Sequence, residues 1–228
     1  MPIILFDIDG TLVRTGGAGK TAMEAALVAA FGVAELRDEV PYSGRTDTAI
    51  TRDLLRVHGS DPTPANQQKL RETYLAHLPS SLTAKGGEVC PGVPELLAAI
   101  AGKPGVVLGL LTGNVRIGAR TKLGHFGLWD FFACGGFGDD HFDRDDVARS
   151  ALASAQEHLG ADVNPSDVWV IGDTPLDVSC ARAIGANAVA VATGWHPLEE
   201  LADCSPDLIF EDLSDHSRLL AVWASGAA

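Results

Sequence analysis

The chain has 228 residues, 46% of them hydrophobic, and carries 30 acids against 17 lysines and arginines for a formal net charge of −13. That length buries one substantial core, alone or with a small accessory module, while the charge argues against general affinity for nucleic acid or anionic membranes, which is built on Lys and Arg neutralising phosphates. No apolar stretch reaches the length of a membrane span, no basic leader precedes the first apolar run, and the four cysteines, Cys90, Cys134, Cys180 and Cys204, lack C-x-x-C spacing; the expectation is a cytoplasmic protein with reduced thiols.

The first element runs from Ile3 to Leu12, I-I-L-F-D-I-D-G-T-L. Its apolar start lacks the polar alternation of a half-wet strand, so it reads as a buried parallel strand delivering Asp7 and Asp9 to its carboxyl end on one face. Two adjacent anions repel, and a hard divalent cation with oxygen ligands is the natural counterweight. Gly10 permits a tight turn after the acids, and Thr11 is expected to bond back into that loop. Residues from about 15 to 88 then hold no convincing strand and are too many for one crossover helix. Helical periods run from Lys20 through Met23, Leu27 and Phe31 to Gly32; over Ile50, Leu54 and Val57; and, after the cap Thr63-Pro64, over Leu70, Tyr74 and Leu78. This block reads as a helical lid tethered by Gly16-Gly17 and Gly86-Gly87.

Beyond the lid, apolar runs recur at Val106 to Leu111, Phe131 to Cys134, Val168 to Ile171, Ala188 to Ala192 and Leu208 to Phe210. Helical segments lie between them, one opening at Pro94-Glu95, others closing at Gly160 and Gly185, and a terminal one passing through Leu219 and Trp223 ahead of a frayed Ala-Ser-Gly-Ala-Ala. Alternating strands and helices predict an α/β fold with a parallel sheet covered on both faces. Ligands of such sheets bind at the carboxyl ends of the strands, where four features collect: Asp7 with Asp9; Thr112-Gly113-Asn114, whose hydroxyl and amides suit a phosphate; Asp173 with Asp177 one turn into the next helix; and Arg144, read as lying just ahead of a helix that starts near Val147 and as neutralising clustered carboxylates.

Several motifs have plainer readings. Gly19-Lys20-Thr21 misses the phosphate loop of nucleotide hydrolases because Arg14 stands where its first glycine belongs. Seven scattered histidines make no zinc pattern, and His141 and His196 read as solvated or packed. The acidic run from Asp139 to Asp146 lacks calcium-loop spacing. Trp129, Trp169, Trp195 and Trp223 are expected to pack between layers.

Together, D-x-D-G-T-L, the Thr112 element and the Gly172-Asp173 element resemble the haloacid dehalogenase superfamily in the right order over nearly the whole chain, and more narrowly its branch of phosphoglycolate phosphatase and relatives. The resemblance implies a Rossmann-like parallel-sheet core, residues 1–14 and 89–228, with an inserted α-helical cap, residues 15–88. It implies a Mg²⁺-dependent phosphomonoester hydrolase acting on a small phosphorylated metabolite. Asp7 would be the nucleophile that becomes an aspartyl phosphate, and Asp9 the acid and base. The metal would take Asp7, the Asp9 carbonyl and Asp173, with Asp177 in its outer shell. Thr112, Gly113 and Asn114 would hold the phosphoryl oxygens. The family usually has Lys where this chain offers Arg144; Arg149 competes, but it lies inside the predicted helix, so Arg144 is preferred. In the lid, Arg45 within Gly44-Arg45-Thr46-Asp47 is the candidate for substrate choice, ahead of Lys20 and Arg14. A sugar phosphomutase of the same superfamily and a phospho-accepting receiver module stay open as alternatives, whereas a dehalogenase has no use for the second acid, Asp9. Monomer and homodimer are both open.

Overall fold

The structure, a computed structural model, describes residues 2–225. Its first strand, β1 (Ile3–Phe6), is buried on both faces. After it come β2 (Val13–Arg14), three helices, α1 (Ala18–Phe31), α2 (Asp47–Val57) and α3 (Pro64–Lys85), and β3 (Glu88–Val89), which pairs antiparallel with β2. The rest alternates: α4 (Val93–Ile100), β4 (Val107–Leu111), α5 (Arg116–His125), β5 (Cys134–Gly136), α6 (Arg144–Leu159), β6 (Val168–Gly172), α7 (Pro175–Ala183), β7 (Asn187–Val191), α8 (Leu198–Asp203), β8 (Leu208–Phe210) and α9 (Ser217–Ser225).

Six parallel strands form one sheet in the order β5-β4-β1-β6-β7-β8. Side chains of β1 alternate between its faces: Ile4 and Phe6 pack with α4, α5 and α9, whereas Ile3 and Leu5 pack with α6, α7 and α8. Burying each such side chain is worth about 1.5–3 kcal/mol, which is why β1 tolerates no polar residue before Asp7. The chain leaves β1 toward β4 and β5, then returns to β6 on the other side of β1. That reversal opens a crevice at the carboxyl end of β1. Register aligns the ends: Phe6 pairs with Leu110 and with Ile171, so the residues just beyond, Asp7, Thr112 and Asp173, emerge side by side.

Helices α1 to α3 form the helical insertion between β1 and β4, with their own apolar cluster of Met23, Leu27, Ile50, Leu54, Leu70, Tyr74 and Leu78. Local chemistry sets their ends. Thr46 and Thr63 accept from the amides of Ala49 and Asn66 to cap α2 and α3, and Gly32 in the left-handed conformation closes α1.

Two expected elements shift. Residues 129–131 make a 3-10 turn, and the strand expected over Phe131 to Cys134 begins at Cys134. Phe132 instead packs edge-on against Phe6 at 5.9 Å, and Gly135-Gly136 serve as strand because α6 lies so close that a Cβ on Gly136 would strike the Val147 carbonyl. The helix expected near Val147 starts at Arg144, capped by the Asp143 side chain on the Asp145 amide. At the chain end, Ala224 and Ser225 belong to α9, while residues 226–228 of the expected frayed tail lie outside the described residues.

Candidate active site

At the carboxyl end of β1, the Asp7 amide donates to the Ile171 carbonyl at 2.9 Å, which fixes its backbone against β6. Its carboxylate is buried and meets Arg144 Nη1 at 3.4 Å. The second guanidinium nitrogen, Nη2, pairs with Asp177 Oδ1. The other Asp177 oxygen accepts from the Thr174 amide at 3.0 Å and hydroxyl at 2.7 Å, closing a capping box at the start of α7. Asp177 is therefore fully engaged, and it orients Arg144 toward Asp7. Asp173 lies alongside, one oxygen accepting from Thr11 Oγ1 at 2.9 Å. Gly10, at φ 90°, is required here, since a Cβ would run into the Asp173 carboxylate.

The ligand oxygens of Asp7, Asp173 and Asp177 lie within 4.8 Å of one another. Burial, reinforced by repulsion from Asp177 and Asp9, pushes Asp7 up to about 7 despite Arg144. Burial, with Asp177 and Asp7 adding to it, also holds Asp173 well above the carboxylate range. Three buried carboxylates facing one guanidinium leave two negative charges uncompensated when ionised. A divalent cation with all-oxygen coordination fits that donor set.

A second cluster surrounds Asp9, whose side chain is 39% exposed to the cavity. Lys122 Nζ, on the buried face of α5, meets Asp9 Oδ2 at 2.5 Å and Asn114 Oδ1 at 2.6 Å. The Asn114 amide nitrogen lies 2.8 Å from both Asp9 Oδ2 and Thr112 Oγ1. Sequence reasoning missed Lys122. Its signal was periodicity: with Ala119 and Leu123 buried, position 122 falls on the same helical face.

The helical insertion closes over these groups along a polar seam. The Asp47 amide donates to the Gly113 carbonyl at 2.7 Å, and Asp47 Oδ2 accepts from the Val115 amide at 2.9 Å, so a residue of α2 caps α5. Thr48 Oγ1 donates to the Gly138 carbonyl at 2.6 Å. Ser43 Oγ lies 3.1 Å from His196 Nε2, whose Nδ1 meets Glu200 at 2.9 Å. Burial pushes Asp47 up to about 6, partly offset by Lys122 and the Val115 amide. Between insertion and sheet remains a cavity of about 1240 Å³ lined by Asp7, Asp9, Arg45, Asn114, Arg144 and Asp173 among others.

Asp7, Arg144, Asp173 and Asp177 thus form one cluster, and Asp9 and Asn114, with the fully buried Thr112 behind them, a second one against the same cavity. Arg149 is exposed and pairs with Asp146. Several expectations change in detail. Thr11 bonds back into its loop through its backbone amide, which donates to the Ile8 carbonyl at 3.3 Å, while its hydroxyl reaches across to Asp173, and Asn114 engages the site through its side chain, since its backbone amide turns to the Thr112 hydroxyl at 3.3 Å. Arg45 lines the cavity with its guanidinium braced by Asp53 at 2.6 Å and the Pro41 carbonyl at 3.1 Å. Lys20 is tied to Asp38, and Arg14 to Glu88 and the Thr193 carbonyl. His196 is neither merely solvated nor core-packed but bridges Ser43 and Glu200. Trp169 and Trp223 pack edge to face between sheet and α9, whereas Trp195 stands 92% exposed at the cavity rim instead of between layers.

Among the described residues, no helix is long and apolar enough to cross a membrane. Comparison with known proteins accords with the geometry. The chain is 30% identical to a probable phosphatase, IndB, of Dickeya dadantii, covering 94% of this chain and 91% of the relative. It is also 30% identical to a phosphoglycolate phosphatase of Synechococcus elongatus, covering 94% and 95%. In three dimensions it resembles CbbY from Rhodobacter sphaeroides, crystallised with phosphate, at a TM-score of 0.75 and 21% identity over 95% of this chain and 96% of that one, a likeness of fold. The family model of the haloacid dehalogenase-like hydrolases matches residues 1–185, and with the acid cluster at the end of β1 this establishes that the chain belongs to that family.

Proposed function

We propose that the protein hydrolyses phosphomonoesters of a small metabolite through an aspartyl phosphate on Asp7, with residues 15–88 as the cap that encloses the substrate. The carrying observation is the buried Asp7 carboxylate, pinned by backbone to β6, faced by Arg144 and flanked by Asp173. Phosphoryl transfer asks a protein mainly for positioning and charge neutralisation, and this site supplies both.

In the first step an Asp7 oxygen bonds to phosphorus as the bond from phosphorus to the ester oxygen breaks, and Asp9 gives that oxygen its proton. In the second, Asp9 takes a proton from water, whose oxygen bonds to phosphorus and releases Asp7. Arg144 offsets the repulsion between Asp7 and the incoming dianion, and Gly113, which lines the cavity at the end of β4, would offer its amide to the transferring group, with Thr112 and Asn114 bonded to each other to hold that loop in place. Asp7, Asp173 and the Asp9 carbonyl would hold Mg²⁺, with Asp177 orienting rather than ligating because both its oxygens are engaged. When bound, the ion supplies further neutralisation of phosphoryl charge. Arg45, fixed by Asp53, is the side chain of the cap that selects the substrate.

Several relatives are named phosphoglycolate phosphatase, so phosphoglycolate is the first natural substrate to assay. The founding experiment is turnover of an aryl phosphate with Mg²⁺. Activity abolished by EDTA and by Asp7→Asn is expected, and activity that survives Asp7→Asn would overturn the reading.

A further inference from the structure

We propose that Lys122 is a further positioning residue of this reaction, one that fixes the direction of the Asp9 carboxylate; the inference rests on the role assigned to Asp9 above. Lys122 comes from α5, a helix that contributes no other residue to the two acid clusters. It is 5% exposed. Burying an ammonium is costly unless it is paired and hydrogen-bonded, and Lys122 finds its partners in Asp9 Oδ2 at 2.5 Å and Asn114 Oδ1 at 2.6 Å.

Three features separate this from an ordinary structural ion pair. The pair is asymmetric, with the cation sealed and the acid 39% exposed toward the cavity. Both donors, Lys122 Nζ and Asn114 Nδ2, converge on Oδ2 of Asp9, leaving Oδ1 as the oxygen to serve the ester. Lys122 also ties together the loops after β1 and β4, because Asn114 is bonded in turn to Thr112. The helical insertion makes room for it: at Gly19, in the first turn of α1, a Cβ would stand 3.3 Å from Nζ. Without Lys122 the carboxylate keeps one tether and rotates about its own bond, and a displacement of about 1 Å at a reacting group costs about 100-fold in rate.

The test combines leaving-group dependence with a double-mutant cycle on the full chain. Lys122→Met keeps length and suits burial. We expect it to lower kcat about 10- to 100-fold on an alkyl phosphate, whose departing oxygen needs the proton, and several-fold less on a nitrophenyl phosphate, with KM little changed. In an Asp9→Asn background the same substitution should add less than about threefold, because the group it positions is gone. Should Lys122→Met fail to fold by circular dichroism, Lys122→Gln, which keeps a donor for Asp9, is measured the same way and is expected to retain more alkyl phosphate turnover than Lys122→Ala. Equal losses on both leaving groups, losses that multiply with Asp9→Asn, or wild-type rates would each overturn the proposal while leaving the phosphatase reading intact. A wild type that turns over no phosphomonoester removes both.

Discussion

Arg144 and Arg149 differ by a little over one turn of helix, yet their surroundings assign them opposite weights. Arg144 is the guanidinium that faces Asp7 and Asp177 in the buried cluster, and burial notwithstanding, those two carboxylates hold it fully charged. Removing one partner from a buried ion cluster costs about 3–5 kcal/mol. Arg144→Met is therefore expected to lower unfolding free energy by about that amount in urea titrations and to abolish turnover, while Arg149→Ala, which loses only an exposed pair with Asp146, stays within about 0.5 kcal/mol of wild type. Matching losses in the two variants would contradict this assignment. Arg144→Lys should recover charge but not the two-pronged contact, and so fall between them.

At the level of the helices, the seam between α2 and α5 decides how the insertion sits on the sheet. Asp47 both donates from its backbone to Gly113 and caps α5 at Val115. Its carboxyl is raised to about 6, chiefly by burial, above the ordinary value near 3.9 that it regains on unfolding. Between those values the folded state holds more protons than the unfolded one. The contribution of this group to stability is therefore complete below about 4 and declines as pH rises through about 6. Asp47→Asn keeps an oxygen for the Val115 amide and does not titrate, so its stability relative to wild type should rise between pH 4 and pH 7. A difference that is flat with pH would show that Asp47 ionises freely. The apolar period over Ile50, Leu54 and Val57 announced this helix, but nothing local in Asp47 announces a partner 68 residues away.

For the protein as a unit, the excess of negative charge at the end of β1 predicts that stability depends on a divalent cation. Asp7 is raised to about 7 and Asp173 above its usual range, so without metal the fold loses stability as pH climbs from about 4 through about 7 and these groups ionise against each other. Divalent binding requires the ionised forms. Mg²⁺ should accordingly raise Tm more at pH 8 than at pH 5, with EDTA restoring the metal-free value; equal shifts at both pH values would detach the ion from this cluster. Most strands of the six-stranded sheet, the cap signal at Thr63 and the acids at strand ends were legible in the chain because each depends on neighbours within a few residues: apolar runs, a hydroxyl before a helix, a carboxylate after a strand. The pairing of Lys122 with Asp9, the turn of the Asn114 side chain toward the same oxygen, the capping of α5 from the insertion and the exposure of Trp195 were decided only by tertiary structure. Those contacts join residues up to 113 positions apart, and no local propensity encodes which buried charge will meet which once the sheet and the insertion have closed on each other.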